Sequence, residues 1–202
     1  MTADRRATVT RILLWTAPIV LVAILRPWTV RPIEGDKPVA FDAATFVSSA
    51  WPRLVGEANR TAVTVPDIVP ASGAPLSQAR FVKGMGMVTT VDRRSRVGVM
   101  LVRLVSSSLV VAIQIGPVIR GTALRDASGF IQFSDFINQS EYAAAANALN
   151  ESALRLVIAP VQFETLPGRT VSFVGAVGRS SVREDGAIEI VPVQLGVADG
   201  AQ

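Results

Sequence analysis

From Phe81 onward the chain reads as three β runs, a long turn-rich and helical passage, then two more β runs. That order limits the fold more than any other feature. FVKGMGMVTTV, the first run, holds Gly84 and Gly86 in its middle, where a strand bends or bulges. Asp92 to Arg96 form a hairpin tip whose arginines read as solvated. VGVMLVRLV returns as the second run, apolar on both faces, and Ser106 to Ser108 turn the chain again. LVVAIQI is the third, with Leu109, Val111, Ile113 and Ile115 on one face. A helix then begins near residue 136, capped by Ser134 or Asn138. Its apolar face is Tyr142, Ala146, Leu149, Ala153 and Val157, with an i,i+4 pair of Glu151 and Arg155. Pro160 stops it, and Leu166-Pro167-Gly168 make a turn. TVSFVGAV and AIEIVPVQLGV are the last runs, joined by a polar loop over 179–186. In the final run the apolar parity shifts across Pro192, which predicts a bulge that also accommodates the proline.

Three strands, a helical crossover and two strands is the order of an OB-like five-strand barrel, in a mainly β chain with helices (α+β). A mixed β-sandwich is the alternative. The β domain is expected over 81–198, with its crossover at 117–160. Residues 34–80 form a lead-in. EGDKPVA reads as a linker, and Asp42 caps a short helix that buries Phe46 and Ala50. Trp51-Pro52 ends or kinks that helix, since a residue before proline avoids helical geometry. A second helical stretch runs from Arg53 to about Thr61, and 64–79 has loop composition.

Residues 1–33 have the layout of an export signal. Arg5, Arg6 and Arg11 precede an apolar run from Ile12 to Leu25, and Arg26 and Arg31 follow it. As a helix the run spans about 21 Å, less than the roughly 30 Å of a hydrocarbon core. Trp15 and Trp28 suit the two interfaces, and Arg26 can snorkel outward. No small-x-small cleavage site follows; Arg26, Pro27 and Trp28 stand there instead. The expectation is an uncleaved signal anchor in the inner membrane, with the bulk of the chain in the periplasm. This segment accounts for the whole net charge of +4, because the acidic and basic side chains after residue 33 balance. The basic excess therefore speaks of membrane topology rather than of nucleic acid.

The unusual polar chemistry lies in residues 113–142, IQIGPVIRGTALRDASGFIQFSDFINQSEY. Ile119, Phe130, Ile131, Phe133 and Phe136 are too many large apolar groups for a free loop, so the passage reads as an ordered, largely buried crossover. Two readings stand for its charges. Arg120, Arg125, Asp126 and Asp135 form a structural ion-pair network, or they form a binding site. The candidate binding set is Arg120, Arg125, Asp126, Asp135, Asn138, Gln139 and Tyr142. Arg125, Asp126, Asn138 and Gln139 are the side-chain types that clamp sugar hydroxyls, and Asn138 and Gln139 are expected nearer any recognition surface. If Arg125 is structural, its loss costs about 3 kcal/mol or more.

The chain has no histidine and no cysteine. A Ser-His-Asp triad, thiol catalysis and the usual zinc sites are thereby excluded, and no cofactor or metal site is expected. A carbohydrate hydrolase would need two carboxylates facing one cleft, about 5 to 9.5 Å apart. Asp126, Asp135 and Glu141 are the set near the crossover. A nucleic-acid-binding OB domain would need stacking aromatics and a basic groove, and the first three strands offer only Phe81.

FVKGMGMV, IQIGPVIRGTALRDASGFIQFSDFINQSEYA with the following ALN, VSFVGAV and IVPVQLGV together resemble a bacterial family of predicted periplasmic lipoproteins of unknown function. The likeness runs over about residues 25–198. Members of that family are often encoded beside ribose- or xylose-type sugar ABC transporters. The resemblance implies an envelope location and a role beside a sugar transporter, with transporter components or a small sugar-like solute as partners. It implies no catalytic residue. Trp28 stands about where a lipidated cysteine is expected, which favours a transmembrane anchor.

Overall fold

The computed structural model describes residues 41–68, 76–179 and 181–198. The expected anchor over 1–33 and the linker over 34–40 lie outside the described residues. Among the described residues, no helix is long and apolar enough to cross a membrane.

The chain enters through helix α1, Ala43–Thr61. Asp42 caps it by accepting the Ala44 amide at 3.0 Å. The helix continues through Pro52 as one element, where the sequence predicted an end or a kink and a second stretch from Arg53. A proline inside a helix costs about 3 kcal/mol. Val47, Ala50, Leu54 and Ala58 are all buried along one stripe, and a buried leucine alone contributes roughly 1.5–3 kcal/mol. Packing of that stripe therefore outweighs the lost hydrogen bond. Strand β1, Val63–Thr64, and a single helical turn α2, Val65–Ile68, follow.

The barrel consists of β2, Arg80–Asp92; β3, Val99–Leu104; β4, Val110–Gln114; β5, Thr170–Val177; and β6, Ile188–Val197. Its strand order is β2-β3-β4-β6-β5, and β5 closes back on β2. β4 and β6 run parallel; the other barrel pairs are antiparallel. Closure excludes the two-layer sandwich. Residues 80–87 of β2 pair with β5, whereas Gly86 to Asp92 pair with β3. The strand thus changes partners at Gly86, where a Cβ would stand 2.3 Å from the Arg103 carbonyl oxygen. Only glycine lets β3 approach there. The bulge itself falls slightly later, at Val88–Thr90. The second expected bulge is present: Gly175 pairs with Pro192 and Val174 with Gln194, so Val193 is passed over. Val193 packs outward with Val191 under the helices, and Leu195 returns toward the barrel interior.

Two apolar layers result. The barrel interior holds Val82, Val88, Met100, Val102, Val111, Ile113, Phe173 and Ile190, with Phe163 and Leu166 packed in the same cluster. Outside the wall, Phe81, Ala176 and Val191 meet Leu54 of α1, Leu124 and Leu149. Leu124 lies on α3, Ala123–Ser128, and Leu149 on α4, Gln139–Ala153. Ala146, Leu149 and Ala153 form the buried face predicted for α4. A π-helical turn, Leu154–Ile158, then continues the helix. It shifts the phase by one residue, so Ile158 is buried where Val157 was expected. The pair Glu151–Arg155 is not formed among the described residues.

Candidate functional site

The crossover begins where β4 ends, and its first residues are fastened to the β2–β3 loop. The amide of Ile115 donates to Gly98, that of Gly116 to Val97 at 2.6 Å, and that of Val118 to Arg96. A Cβ on Gly116 would stand 2.0 Å from the Val97 carbonyl oxygen. Gln114 is 4 % exposed; its Oε1 accepts the Arg120 amide at 2.8 Å, and its Nε2 donates to the Arg120 carbonyl. From the other side, Asn150 of α4 donates to the Gly121 carbonyl at 2.9 Å. Residues 114–121 are therefore held on both sides by backbone and amide groups.

Around this frame the structure opens a cleft of about 750 Å³. Its walls come from three places: Asp92, Ser95 and Val97 at the β2–β3 turn, Gln114, Arg120, Thr122 and Asp126 from the crossover, and Gly178, Arg179, Ser181, Arg183 and Glu189 around the β5–β6 loop. Asp92, Asp126 and Glu189 line it together with Arg120, Arg179 and Arg183. The charges are not equivalent. Asp92 accepts from both the backbone amide and the guanidinium of Arg94, which hold its carboxyl below the usual carboxylate value. Asp126 accepts from the Thr122 hydroxyl at 2.6 Å and from Arg125 Nε at 2.9 Å. Arg183 pairs with Asp185. Arg120, Arg179 and Glu189 make no side-chain hydrogen bond or ion pair among the described residues.

The seven expected site residues separate. Arg120 and Asp126 line the cleft. Arg125 does not; its side chain is 11 % exposed against 39 % for Asp126. It donates to the Tyr142 carbonyl at 3.2 Å and stacks 3.7 Å from the centroid of the Tyr142 ring. Arg125 and Tyr142 thus clamp α3 onto α4. Asp126 is the acceptor expected for Arg125; Asp135 is not, because it accepts the Gln132 amide at 2.9 Å and caps a 3-10 turn, Phe133–Asp135. Asn138 caps α4 by accepting the Glu141 amide, and Glu141 accepts the Ile137 amide in return. Ser134 makes no cap among the described residues. Gln139 is exposed at the first turn of α4.

The expected burial of the crossover holds only as far as Ile131. Residues 132–140 face solvent almost throughout, with Phe133 at 54 % and Ile137 at 67 % exposure. Two reciprocal caps satisfy the backbone there, so no covering layer is needed. Phe136 and Phe46 join Phe41 in an aromatic cluster with centroids 5.5 to 5.9 Å apart. Asp135 and Glu141 border a second groove of about 520 Å³ beside that cluster. They lie apart from the cleft that holds Asp126, so the three carboxylates proposed for a hydrolase do not share a site. Among the described residues no group of three Asp or Glu side chains is placed to hold a metal ion.

The residues missed by sequence reading are Asp92, Gln114, Arg179, Arg183 and Glu189. For all but Gln114 the signal was present: in an OB-type order the first and last hairpins come together at one end of the barrel. Both had been recognised as polar loops, but not as neighbours.

Residues 18–196 match the family described as "Predicted periplasmic lipoprotein (DUF2291)". The chain belongs to that family. Its 202 residues include no cysteine, so they offer no thiol to carry a lipid. No curated protein sequence matches the chain. Among solved structures it is similar to an OB-fold protein of Thermotoga maritima MSB8, at 17% identity and a TM-score of 0.60, over 78% of this chain and 98% of that one. That likeness establishes the OB-type fold. Lower similarity extends to an OBody bound to hen egg-white lysozyme, at 15% identity and a TM-score of 0.35, over 70% of this chain and 92% of that one. It extends also to the aspartyl-tRNA synthetase of Entamoeba histolytica, at 12% identity and a TM-score of 0.33, over 70% of this chain and 22% of that one.

Proposed function

We propose that the chain is a membrane-anchored periplasmic binding protein without catalytic function. It takes a small, sugar-like solute in the cleft at the barrel mouth and serves a sugar ABC transport system in the inner membrane. The cleft carries this reading. Its volume lies within the roughly 300–1,000 Å³ range of small-molecule sites, and loops from three parts of the chain supply donors and acceptors around it. The family description supports the extracytoplasmic location, and the arginine-flanked run Ile12–Leu25 supports the anchor.

Two other readings are weaker. A carboxylate-based hydrolase needs a general acid with a raised pKa and a second free carboxylate. In the cleft, Glu189 is the one carboxylate unengaged among the described residues: Asp92 is lowered instead, and both oxygens of Asp126 are taken by Thr122 and Arg125. A nucleic-acid site needs outward aromatics. The outward faces of β2 and β3 carry Met85, Met87 and Arg103, while Phe81 is buried.

The test is hydrogen exchange on the full chain purified from membranes, with and without monosaccharide-class solutes. Slower exchange in residues 93–98 and 178–187 is expected with at least one solute. Unchanged exchange in both loops at millimolar solute would overturn the cleft reading. A reporter fused after Gln202 is expected to be active only in the periplasmic form; cytoplasmic activity would overturn the topology.

A further inference from the structure

The balance of charges in the cleft narrows the solute further, on the premise that the cleft is the solute site. Six charged side chains line it, three of each sign. Three are already neutralised by neighbours: Asp92 by Arg94, Asp126 by Arg125 and Arg183 by Asp185. What remains uncompensated among the described residues is Arg120, Arg179 and Glu189, two positive charges and one negative. A neutral sugar leaves all three as they are. A ligand with one acidic group balances the excess.

We infer that the cleft selects a sugar acid, a hydroxylated ring bearing one carboxylate. Arg120 and Arg179 come from different walls, the crossover and the β5–β6 loop. Guanidinium groups present planar paired donors that match a carboxylate. Glu189 can only accept when ionised, so it suits a ring hydroxyl that donates to it. The backbone of Arg120 is fixed by Gln114 at both its amide and its carbonyl, so its side chain starts from a defined position. A phosphorylated sugar carries nearer two negative charges at neutral pH and overshoots the balance. Recognition of the carboxylate is electrostatic and weakens as salt rises.

The experiment is calorimetric titration of the full chain in detergent with four probes: a hexuronate, the corresponding neutral hexose, the hexose phosphate and inorganic phosphate. The hexuronate is expected to bind roughly tenfold to a hundredfold more tightly than the neutral hexose, as hydrogen bonds to charged groups require. The double variant Arg120→Gln/Arg179→Gln is expected to lose that advantage while melting with the parent. If the neutral hexose binds as tightly, the acid assignment is overturned and the cleft remains a sugar site. Tighter binding of the hexose phosphate overturns the single-charge balance. Equal binding of inorganic phosphate overturns recognition of the ring. If the double variant binds the hexuronate like the parent, the two arginines are not its receptors. If no sugar binds and the loop exchange is also unchanged, this inference and the proposed function fall together.

Discussion

Arg120 and Arg125 stand five residues apart in one turn-rich passage, and their surroundings could hardly differ more. Arg125 is nearly buried, paired with Asp126, bonded to the Tyr142 carbonyl and stacked on the Tyr142 ring. Arg120 is exposed at the wall of a polar cleft and its guanidinium has no partner among the described residues. The first is a clamp between α3 and α4. The second is available to a ligand. The difference teaches that residue type does not decide the role of a charge. Arg125 has an acceptor one residue away and an aromatic face one helix away. Arg120 is fixed through its backbone by Gln114, which leaves its side chain unengaged.

The sharpest way to break the comparison is to disturb the frame on which both depend. Gly116 lies against Val97, and a methyl group there would overlap the carbonyl carbon and oxygen of that residue. Gly116→Ala should destabilise the fold by about 3 kcal/mol, at the upper end of overpacking costs, because backbone on both sides must move. Chemical denaturation measures it. A variant that unfolds with the parent would show that the β2–β3 loop yields freely, and the cleft would then have no fixed wall.

Next in size is the clamp itself. Arg125→Ala should cost about 2–3 kcal/mol, through lost pairing of a mostly buried guanidinium and lost stacking on Tyr142. That is slightly below the figure expected from sequence, because Asp126 keeps solvent and Thr122 after the change. Asp126→Asn should cost less, about 1 kcal/mol. If thermal unfolding of Arg125→Ala matches the parent, the clamp is ornamental and the contrast with Arg120 disappears.

How far the sequence carried can be judged from such residues. The barrel was legible because its signals are local and mutually consistent: glycines in the middle of β2, alternation in β4, and a parity shift at Pro192. The cap at Asn138 was legible because capping depends on three or four neighbouring residues. Helix α1 does not end at Pro52 because tertiary packing of Val47, Ala50, Leu54 and Ala58 overrides a local preference. The phase of the last helical turn was hidden because a π turn leaves no pattern of its own. The burial of Phe133 was overestimated because apolar content says nothing of whether another layer lies opposite. The cleft was half seen. Its crossover wall lay in the passage singled out, but Asp92, Arg179 and Glu189 reach it from strand ends and a loop far away in sequence, and only the closed barrel brings them together.

Asn138 provides a calibrated effect between the two arginines. Its Oδ1 accepts the Glu141 amide at 2.9 Å, and Asn138→Ala should cost about 1 kcal/mol, as the loss of an N-cap does. Amide exchange should rise locally in residues 139–142. A loss as large as that of Arg125→Ala would mean that the exposed stretch 132–140 is held by more than its own caps.

The smallest expected effect is the most informative for the comparison. Arg120→Gln removes a guanidinium that bonds to nothing among the described residues, and it leaves the Arg120 amide and carbonyl free to keep their bonds to Gln114. The stability change should stay within about 0.5 kcal/mol, as for surface positions in general, measured beside Arg125→Ala under identical conditions. Mild stabilisation would also fit, since Arg179 and Arg183 line the same cleft and like charges repel across it. A loss of 2 kcal/mol or more, in the range of a broken buried pair, would place Arg120 with Arg125 among the structural charges. The cleft would then lose one of the two positive groups on which its reading as an acid-binding site depends.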